Sequence, residues 1–505
     1  MWFLVTKTLV KEFLQCPKYA RRHVNRKDVY TNIQKDLYGD MDMARLGQDV
    51  EDMFLTRYAS CFRVEDPFDA TSTLDAIARG EQVIYQPVFM IDNLYVRADL
   101  LVKNDKWLYD IIEVKSKNAI KGKSEWAAIY DDLLYDISFQ SYVVSKAIGK
   151  QFSGNISLVY MNRDFVKNGT VDPEQLFVQE NCRDSILPAT VISSLIYTLS
   201  HTMILDEDAF DTMYPYSGEN PLLYFGQHMP NDSIFAIKGR YAIKPFLVDR
   251  YHVWKRTVYD LSAADIELLM HSNGTGKAAA TYIVRMQEWN PIVDHNEIAQ
   301  TIDALVSPLC FYDYETVSTP IPLFDGYRPW QQIVVQYSMH IVHQDGSIEH
   351  KQSIIQPWDT TNKRVIADFV RDIGNGYGTY IVRNKSFENG RNSDIGLLYP
   401  EYSELFSSIN EHTFDLMDIF KNNLYFHPDF GGSASIKKVL PVLTDISYAD
   451  LTVGDGGVAT DLLQKIITWK LDSSVLDKTI ADLCAYCTQD TWAMVEIWKK
   501  IKVYS

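Results

Sequence analysis

The apolar residues of this chain fall into runs whose spacing changes along its length. Residues 94–102 and 107–114 are apolar, strand-like runs that flank the polar segment Lys103, Asn104, Asp105 and Lys106, which predicts a β-hairpin. A further strand-like run at 82–91 leads into it. Before it, residues 6–24 carry Leu9, Val10, Phe13, Leu14 and Val24 at helical spacing, with a break at Pro17 beside Cys16, and residues 41–60 form a second helical stretch. After it, residues 126–146 set Trp126, Ile129, Leu133, Ile137 and Val144 on one helical stripe, and a short strand follows at 155–160. Residues 200–300 mix helical stretches (263–270 and 276–289) with Pro-, Gly- and Asn-bearing segments. From Leu309 the pattern resets to strands at 309–316 and 333–342, a helix at 363–373, a strand at 379–383, helical sequence up to about 409, and a closing helix at about 475–501. The alternation predicts an α/β protein. Its expected division is an N-terminal α/β domain over 1–200, a mainly helical connector over 201–305 and a C-terminal α/β domain over 306–505.

Composition refines this picture only in places. A chain of 505 residues exceeds what one core organises. A net charge of −17 argues against coating nucleic acid by bulk electrostatics, yet it leaves room for local basic patches. Two exist: Lys18, Arg21, Arg22, Arg26 and Lys27, and then Lys115, Lys117, Lys121 and Lys123 directly after the hairpin. Six irregularly spaced cysteines indicate a reducing compartment without a disulfide framework. The opening Met-Trp-Phe-Leu-Val run is too short for a signal segment, and the longest apolar stretch, at 191–205, is interrupted by Ser, Thr and His. The expectation is a cytoplasmic protein.

Within the hairpin stand Asp99, Glu113 and Lys115, charges in segments otherwise built for burial. Such charges are costly unless they pair or hold a metal. Two carboxylates and a lysine suit a Mg²⁺ or Mn²⁺ site that cuts a phosphodiester: the acids hold the hard cation, and the lysine acts on water and phosphate. Asp99 and Glu113 reach one face only if the hairpin turns on an odd number of loop residues or carries a bulge. Gln140 interrupts the apolar stripe of the following helix, and a polar residue on a core face needs partners.

A second set lies in the C-terminal half. Asp313 and Glu315 point the same way on a strand whose neighbours Phe311, Tyr312 and Tyr314 call for burial, and paired acids call for a divalent cation between them. Asp490 interrupts the closing helix's core stripe (Ile480, Leu483, Cys487, Met494 and Trp498), with Tyr486 one turn earlier. Glu388, at a strand end, supplies a fourth acid. Four acids from three segments suit two metals about 4 Å apart, with Tyr486 orienting the attacking water.

The first set resembles the PD-(D/E)xK nucleases of the RecB and CRISPR-associated type, with Asp99 and Glu113 as metal ligands, Lys115 catalytic and Gln140 supporting. Gly47 followed by Glu51 matches that family's additional ligand position. The second set resembles the DnaQ-type DEDD exonucleases of the tyrosine branch: Asp313-x-Glu315, then Asn384-x-x-Phe387-Glu388, then Tyr486-x-x-x-Asp490. Both together, with Leu-Gln-Cys-Pro-Lys at 14–18, Met-Asn-Arg-Asp at 161–164 and Ser-Ile-Lys-Lys-Val-Leu-Pro at 435–441, look like a bacterial family fusing the two nuclease types. The resemblance implies a restriction-endonuclease-like N-terminal fold and an RNase H-like C-terminal fold. It also implies Mg²⁺ or Mn²⁺ as cofactor, and Lys117, Lys121, Asn384 and Lys437 as nucleic-acid contacts.

Two departures stand out. Glu388 replaces the more common Asp, a methylene that shifts a bound metal by about 1 Å. The iron–sulfur cluster of CRISPR-associated relatives needs four cysteines, and only Cys16 and Cys182 lie in the region that would supply them, so no cluster is expected. The leading expectation is a two-site, metal-dependent nuclease that hydrolyses DNA at the first site and trims 3′ ends at the second. The alternatives are an RNA 3′ exonuclease and a nucleic-acid-binding scaffold with one site, the C-terminal one above all, inactive.

Overall fold

The computed structural model describes residues 3–38, 43–118, 123–237, 240–374, 376–468 and 470–503. The chain is mixed α/β and divides into two compact units. One holds the described residues up to 228 together with the excursion 319–331; the other holds residues from 229 to 318 and from 332 onward. Residues 201–305, expected as a separate connector, are thus shared between the two units. Among the described residues, no helix is long and apolar enough to cross a membrane.

In the N-terminal unit, α1 (Lys7–Gln15) starts at Thr6, whose side chain accepts from the Leu9 amide. It ends at Cys16 in extended backbone, and Pro17 opens the next helix, where its missing N–H costs nothing. Then come α2 (Met43–Leu55), β1 (Phe62–Arg63), β2 (Val83–Tyr85), β3 (Leu100–Lys103), β4 (Tyr109–Asn118), α3 (Lys123–Ile148), β5 (Phe152–Met161) and β6 (Phe177–Asn181). The six strands lie side by side in chain order. β3 and β4 are antiparallel, β4 and β5 parallel, and α3 makes the crossover between the last two. Leu101, Tyr109 and Ile111 pack with Leu9, Phe13, Ile137 and Val144, whereas Leu100, Ile112 and Val114 pack with Val50 and Phe54 of α2. Odd-numbered residues of the hairpin therefore face α1 and α3.

The expected first hairpin strand, 94–102, is split. Leu94–Arg97 pairs with Val88–Ile91 in a second, three-stranded sheet, and the chain changes sheets at Ala98 and Asp99. The loop of the hairpin is residues 104–108, five rather than the four polar residues read from sequence. Asn104 closes it by accepting from the amides of Lys106 and Leu108, and Trp107 takes a positive φ of 63°.

The C-terminal unit contains β7 (Leu309–Val317), β8 (Ile333–Val342), β9 (Ile348–Ile354), α4 (Lys363–Ile373), β10 (Thr379–Val382), α5 (Lys385–Leu398), β11 (Thr413–Asp415), α6 (Ile436–Leu443) and α7 (Ser473–Lys502). Its sheet runs β9-β8-β7-β10-β11, with β7 central, antiparallel to β8 and parallel to β10. β9 and β11 lack the long apolar runs that reveal buried strands in sequence. Every residue of β7 is buried. Tyr312 and Tyr314 pack on Phe369 of α4, and Phe311 meets Trp498 of α7 on the opposite face. Asp313 and Glu315 share the parity of Phe311 and so face α7. That face also carries Gln336 and Ser338 opposite them on β8, bonded to the Leu483 carbonyl and to Thr491 of α7.

Candidate functional site

In the N-terminal unit the five-residue loop meets the parity condition. The β3/β4 register pairs Leu100 with Ile112, and one further step sets Asp99 opposite Glu113. The Val114 amide donates to Asp99 at 2.7 Å, holding the carboxylate where the chain changes sheets. Lys115, two residues beyond Glu113, donates to the Glu113 carboxylate and lies 3.3 Å from Asp136 of α3. Gln140 uses its amide nitrogen twice, donating at 2.8 Å to Glu113 and at 2.8 Å to Asp136. Glu51, from α2, accepts from the Tyr85 hydroxyl at 2.8 Å and from the Gln86 amide at 3.2 Å. A Cβ added at Gly47 would meet nothing within 4 Å, so packing does not explain that glycine.

Two members of the cluster were not singled out from sequence. Lys7, in the first turn of α1, reaches the same Glu113 oxygen as Lys115, at 2.7 Å. Asp136 is four residues before Gln140, hence on its side of α3, and that spacing was the signal available for it. The Lys7 contact joins residues 106 positions apart, and no local pattern reports it.

Burial, reinforced by Glu113, pushes the Asp99 carboxyl up to about 8. Burial also pushes Glu51 up. Burial would raise Glu113 too, but Lys115 and Lys7 outweigh it and hold Glu113 below the usual carboxylate range. Burial disfavours a charged Lys115, yet Asp136 and Glu113 more than reverse that. The cluster is thus a set of oxygen donors balanced by two ammonium groups, with one acid kept protonated near neutral pH.

The basic patches fare differently. Arg21 and Arg22 donate to the carbonyls of Leu205, Leu223 and Tyr224, and Lys18 pairs with Asp211 at 2.6 Å. Those three side chains are engaged in holding the fold. Lys117 is exposed near the end of β4, whereas Lys121 lies outside the described residues.

In the C-terminal unit, ligand oxygens of Asp313, Glu315 and Asp490 lie within 4.8 Å of one another, all buried. Glu388, in the first turn of α5, lines a cavity of about 330 Å³ with Asp313, Asn384, Phe387 and Arg383. Burial and Asp313 push Glu388 up to about 10, a hydrogen bond between the two acids contributing. Burial, together with Asp313 and Asp490, also raises Glu315 far above its ordinary range. Tyr486 is buried one turn before Asp490, and the Lys437 ammonium lies 5.5 Å from its ring centre. Lys437 donates at 2.8 Å to the Gly454 carbonyl.

Arg383 and Tyr448 complete this cluster and were not identified from sequence. Arg383 follows β10 directly and donates to both Asp313 oxygens, at 3.1 and 3.0 Å, with a nitrogen 3.3 Å from Asp490. The Tyr448 hydroxyl donates to Asp490 at 2.6 Å. Even so, Glu315 Oε1, Glu388 Oε2 and Asp490 Oδ2 are buried without a hydrogen-bond partner. Buried carboxylate oxygens left over after every protein donor is counted are what an oxygen-seeking divalent cation requires. Among the described residues, Asp313, Glu315 and Asp490 bring their oxygens close enough together for one such ion, with Glu388 beside Asp313 in the same cavity, whereas Asp99, Glu113 and Glu51 do not converge in that way.

The cysteines are free thiols. Cys16 is fully buried, its thiol pushed up to about 11 by burial, the environment of a small core residue. Burial also raises Cys182 and Cys487.

Residues 310–435 match the model of a domain of unknown function, DUF2779. That span includes Asp313, Glu315, Arg383 and Glu388, and ends before Lys437, Tyr448, Tyr486 and Asp490. The chain is 21% identical over 531 residues to the uncharacterized protein MG366 of Mycoplasma genitalium, covering 83% of this chain and 78% of that protein. An MG366 homolog of Mycoplasma pneumoniae is 29% identical over 239 residues, 43% of this chain and 36% of the relative. The uncharacterized protein UU173 of Ureaplasma parvum is 27% identical over 314 residues, 57% and 41% of the two chains. No solved structure matches. These similarities place the chain beside mycoplasma and ureaplasma proteins that are themselves uncharacterized.

Proposed function

We propose that this protein is a metal-dependent nuclease with two active sites. The first, of PD-(D/E)xK type, hydrolyses DNA; the second, of DEDD type with a tyrosine, removes nucleotides from 3′ ends. The observation that carries the reading is the N-terminal cluster: Asp99 accepts from the Val114 amide beside Glu113, Lys115 is two residues on and donates to Glu113, and Gln140 donates to Glu113. In this reading the N-terminal unit is restriction-endonuclease-like and the C-terminal unit RNase H-like, the latter supported by acids on the central strand, the first turn of α5 and α7.

Mg²⁺ or Mn²⁺ held by these carboxylates would polarise the phosphoryl oxygen and lower the pKa of water. The protein's own groups do the rest. Lys115, held charged by Asp136 and Glu113, steadies the phosphate. Gln140 fixes the orientation of Glu113 by donating to Oε2, on the side away from Lys7 and Lys115. At the second site Tyr486 orients water, and Asn384 and Lys437 contact nucleic acid, as Lys117 and Lys121 do at the first. The expected substrate is DNA, and the expected compartment is the cytoplasm. A second reading is favoured by Arg383, whose guanidinium occupies two of the C-terminal acids: that unit then binds a nucleic-acid end without cutting it.

The test is to incubate end-labelled single- and double-stranded DNA and RNA with Mg²⁺ or Mn²⁺ and wild type, Glu113→Ala or Asp313→Ala. The proposal expects each substitution to remove a distinct cleavage pattern. Loss with Glu113→Ala alone makes the C-terminal unit a binding module. No change with either defeats the proposal.

A further inference from the structure

A buried salt bridge that is purely structural satisfies the charges it joins. The Arg383 contacts do not. One guanidinium is the counter-charge for four acids: it forks onto Asp313, lies 3.3 Å from Asp490 Oδ2, acts only electrostatically on Glu315 and Glu388, and leaves Glu315 Oε1 and Glu388 Oε2 buried without a hydrogen-bond partner. Its side chain is 29% exposed, whereas those of Asp313 and Asp490 are at most 1%. It also lines the cavity of about 330 Å³ beside Asn384 and Ser435, so room for another rotamer adjoins its present position. Any cation bound by Asp313 must take an oxygen that now accepts from the guanidinium.

We propose that Arg383 is a displaceable counter-ion whose guanidinium guards the C-terminal acids and sets the concentration at which a divalent cation enters. This rests on reading those acids as a metal site. Arg383 is here a positioning residue: it compensates Asp313 and Asp490 before metal arrives and opposes the metal's entry. The fork is worth two charge-assisted hydrogen bonds, which the entering ion must replace.

The experiment is a Mn²⁺ titration of the full chain, followed by the electron-paramagnetic-resonance signal of free Mn²⁺. Glu113→Gln is present throughout to silence the N-terminal acids. Against that parent, Arg383→Gln is expected to lower the Kd at least about tenfold. Arg383→Lys, which keeps one charge but cannot fork, is expected to fall between. Adding Asp313→Asn to Arg383→Gln is expected to abolish the binding. Thermal melts provide a readout independent of activity: Arg383→Gln melts below the parent without Mn²⁺ and gains more on adding it. If Arg383→Gln fails to fold, Arg383→Lys decides. Arginine variants binding Mn²⁺ no more tightly than the parent, while Asp313→Asn abolishes the parent's binding, overturn the gate and leave the metal site standing. Mn²⁺ binding unaltered by Asp313→Asn in either background overturns both.

Discussion

Replacing Gln140 by Leu would restore an unbroken apolar stripe to α3, and on hydrophobic pattern alone it should stabilise the protein. The structure predicts the opposite. Gln140 is fully buried, and its amide nitrogen donates to two buried carboxylates, Glu113 and Asp136, at 2.8 Å each. Hydrogen bonds to charged groups contribute about 1.5–3 kcal/mol each, so the substitution forfeits roughly 3–6 kcal/mol. Against this, the Gln140 carbonyl oxygen is buried without a partner, and removing it returns about 1–3 kcal/mol. Taking the middle of each range, the expected net loss is about 2–3 kcal/mol. At roughly 2–4 °C per kcal/mol for a unit of this size, the melting temperature falls by about 4–12 °C. The assay is thermal and urea unfolding of wild type, Gln140→Leu and Gln140→Ala. A divalent cation on Glu113 supplies compensation of its own, so saturating Mn²⁺ should narrow the gap between wild type and Gln140→Leu. Gln140→Leu as stable as wild type, or more so, would refute the view that this amide holds the two acids.

Other expectations follow from the same geometry. Asp99 carries its proton near neutral pH, so Asp99→Asn should alter stability at pH 7 by less than about 1 kcal/mol while abolishing metal-dependent cleavage; a large loss of stability in a melt would contradict this. Burial lowers His340 to about 4, so the folded protein keeps it neutral while the unfolded chain protonates it below about 6.5. Its contribution to stability is therefore present above pH 6.5 and is lost progressively as pH falls from 6.5 to about 4. Wild type should lose about 1–2 kcal/mol more between pH 7 and pH 5 than His340→Gln, measured by urea midpoints. Trp330 donates to the Ser116 carbonyl, Asn118 donates to that of Pro329, and Lys167 pairs with Asp325 at 2.7 Å. The excursion 319–331 is thus part of the N-terminal unit, and Trp330→Ala should destabilise that unit by about 2–4 kcal/mol, seen as faster amide exchange at the end of β4.

Much of the two candidate clusters was legible because local geometry carries it. The β3/β4 pairing puts Asp99 and Glu113 on one face, and Asp313 and Glu315 share a face at strand spacing. Gln140 and Asp490 interrupt otherwise apolar helical stripes. What the sequence did not reveal depends on long-range packing. Lys7 reaches Glu113 across 106 positions, and Arg383 reads locally as the polar end of a strand. Tyr448 lies 42 residues from the acid it touches. The segment 319–331 reads as a loop of the C-terminal unit because its neighbours in sequence belong there, yet its hydrogen bonds are with Ser116, Asn118 and Lys167. Both unforeseen cations sit on predicted acids, since sequence shows which carboxylates are buried more readily than which charges reach them.

The central claim is that these carboxylates cut nucleic acid with a divalent ion. Its most direct test is the rate at which wild type and the double variant Glu113→Gln/Asp313→Asn release acid-soluble label from uniformly labelled single-stranded DNA with Mn²⁺. The account predicts cleavage by wild type that chelation stops, and a fall of at least about a hundredfold in the double variant. A correctly folded double variant that cleaves within a fewfold of wild type would contradict it.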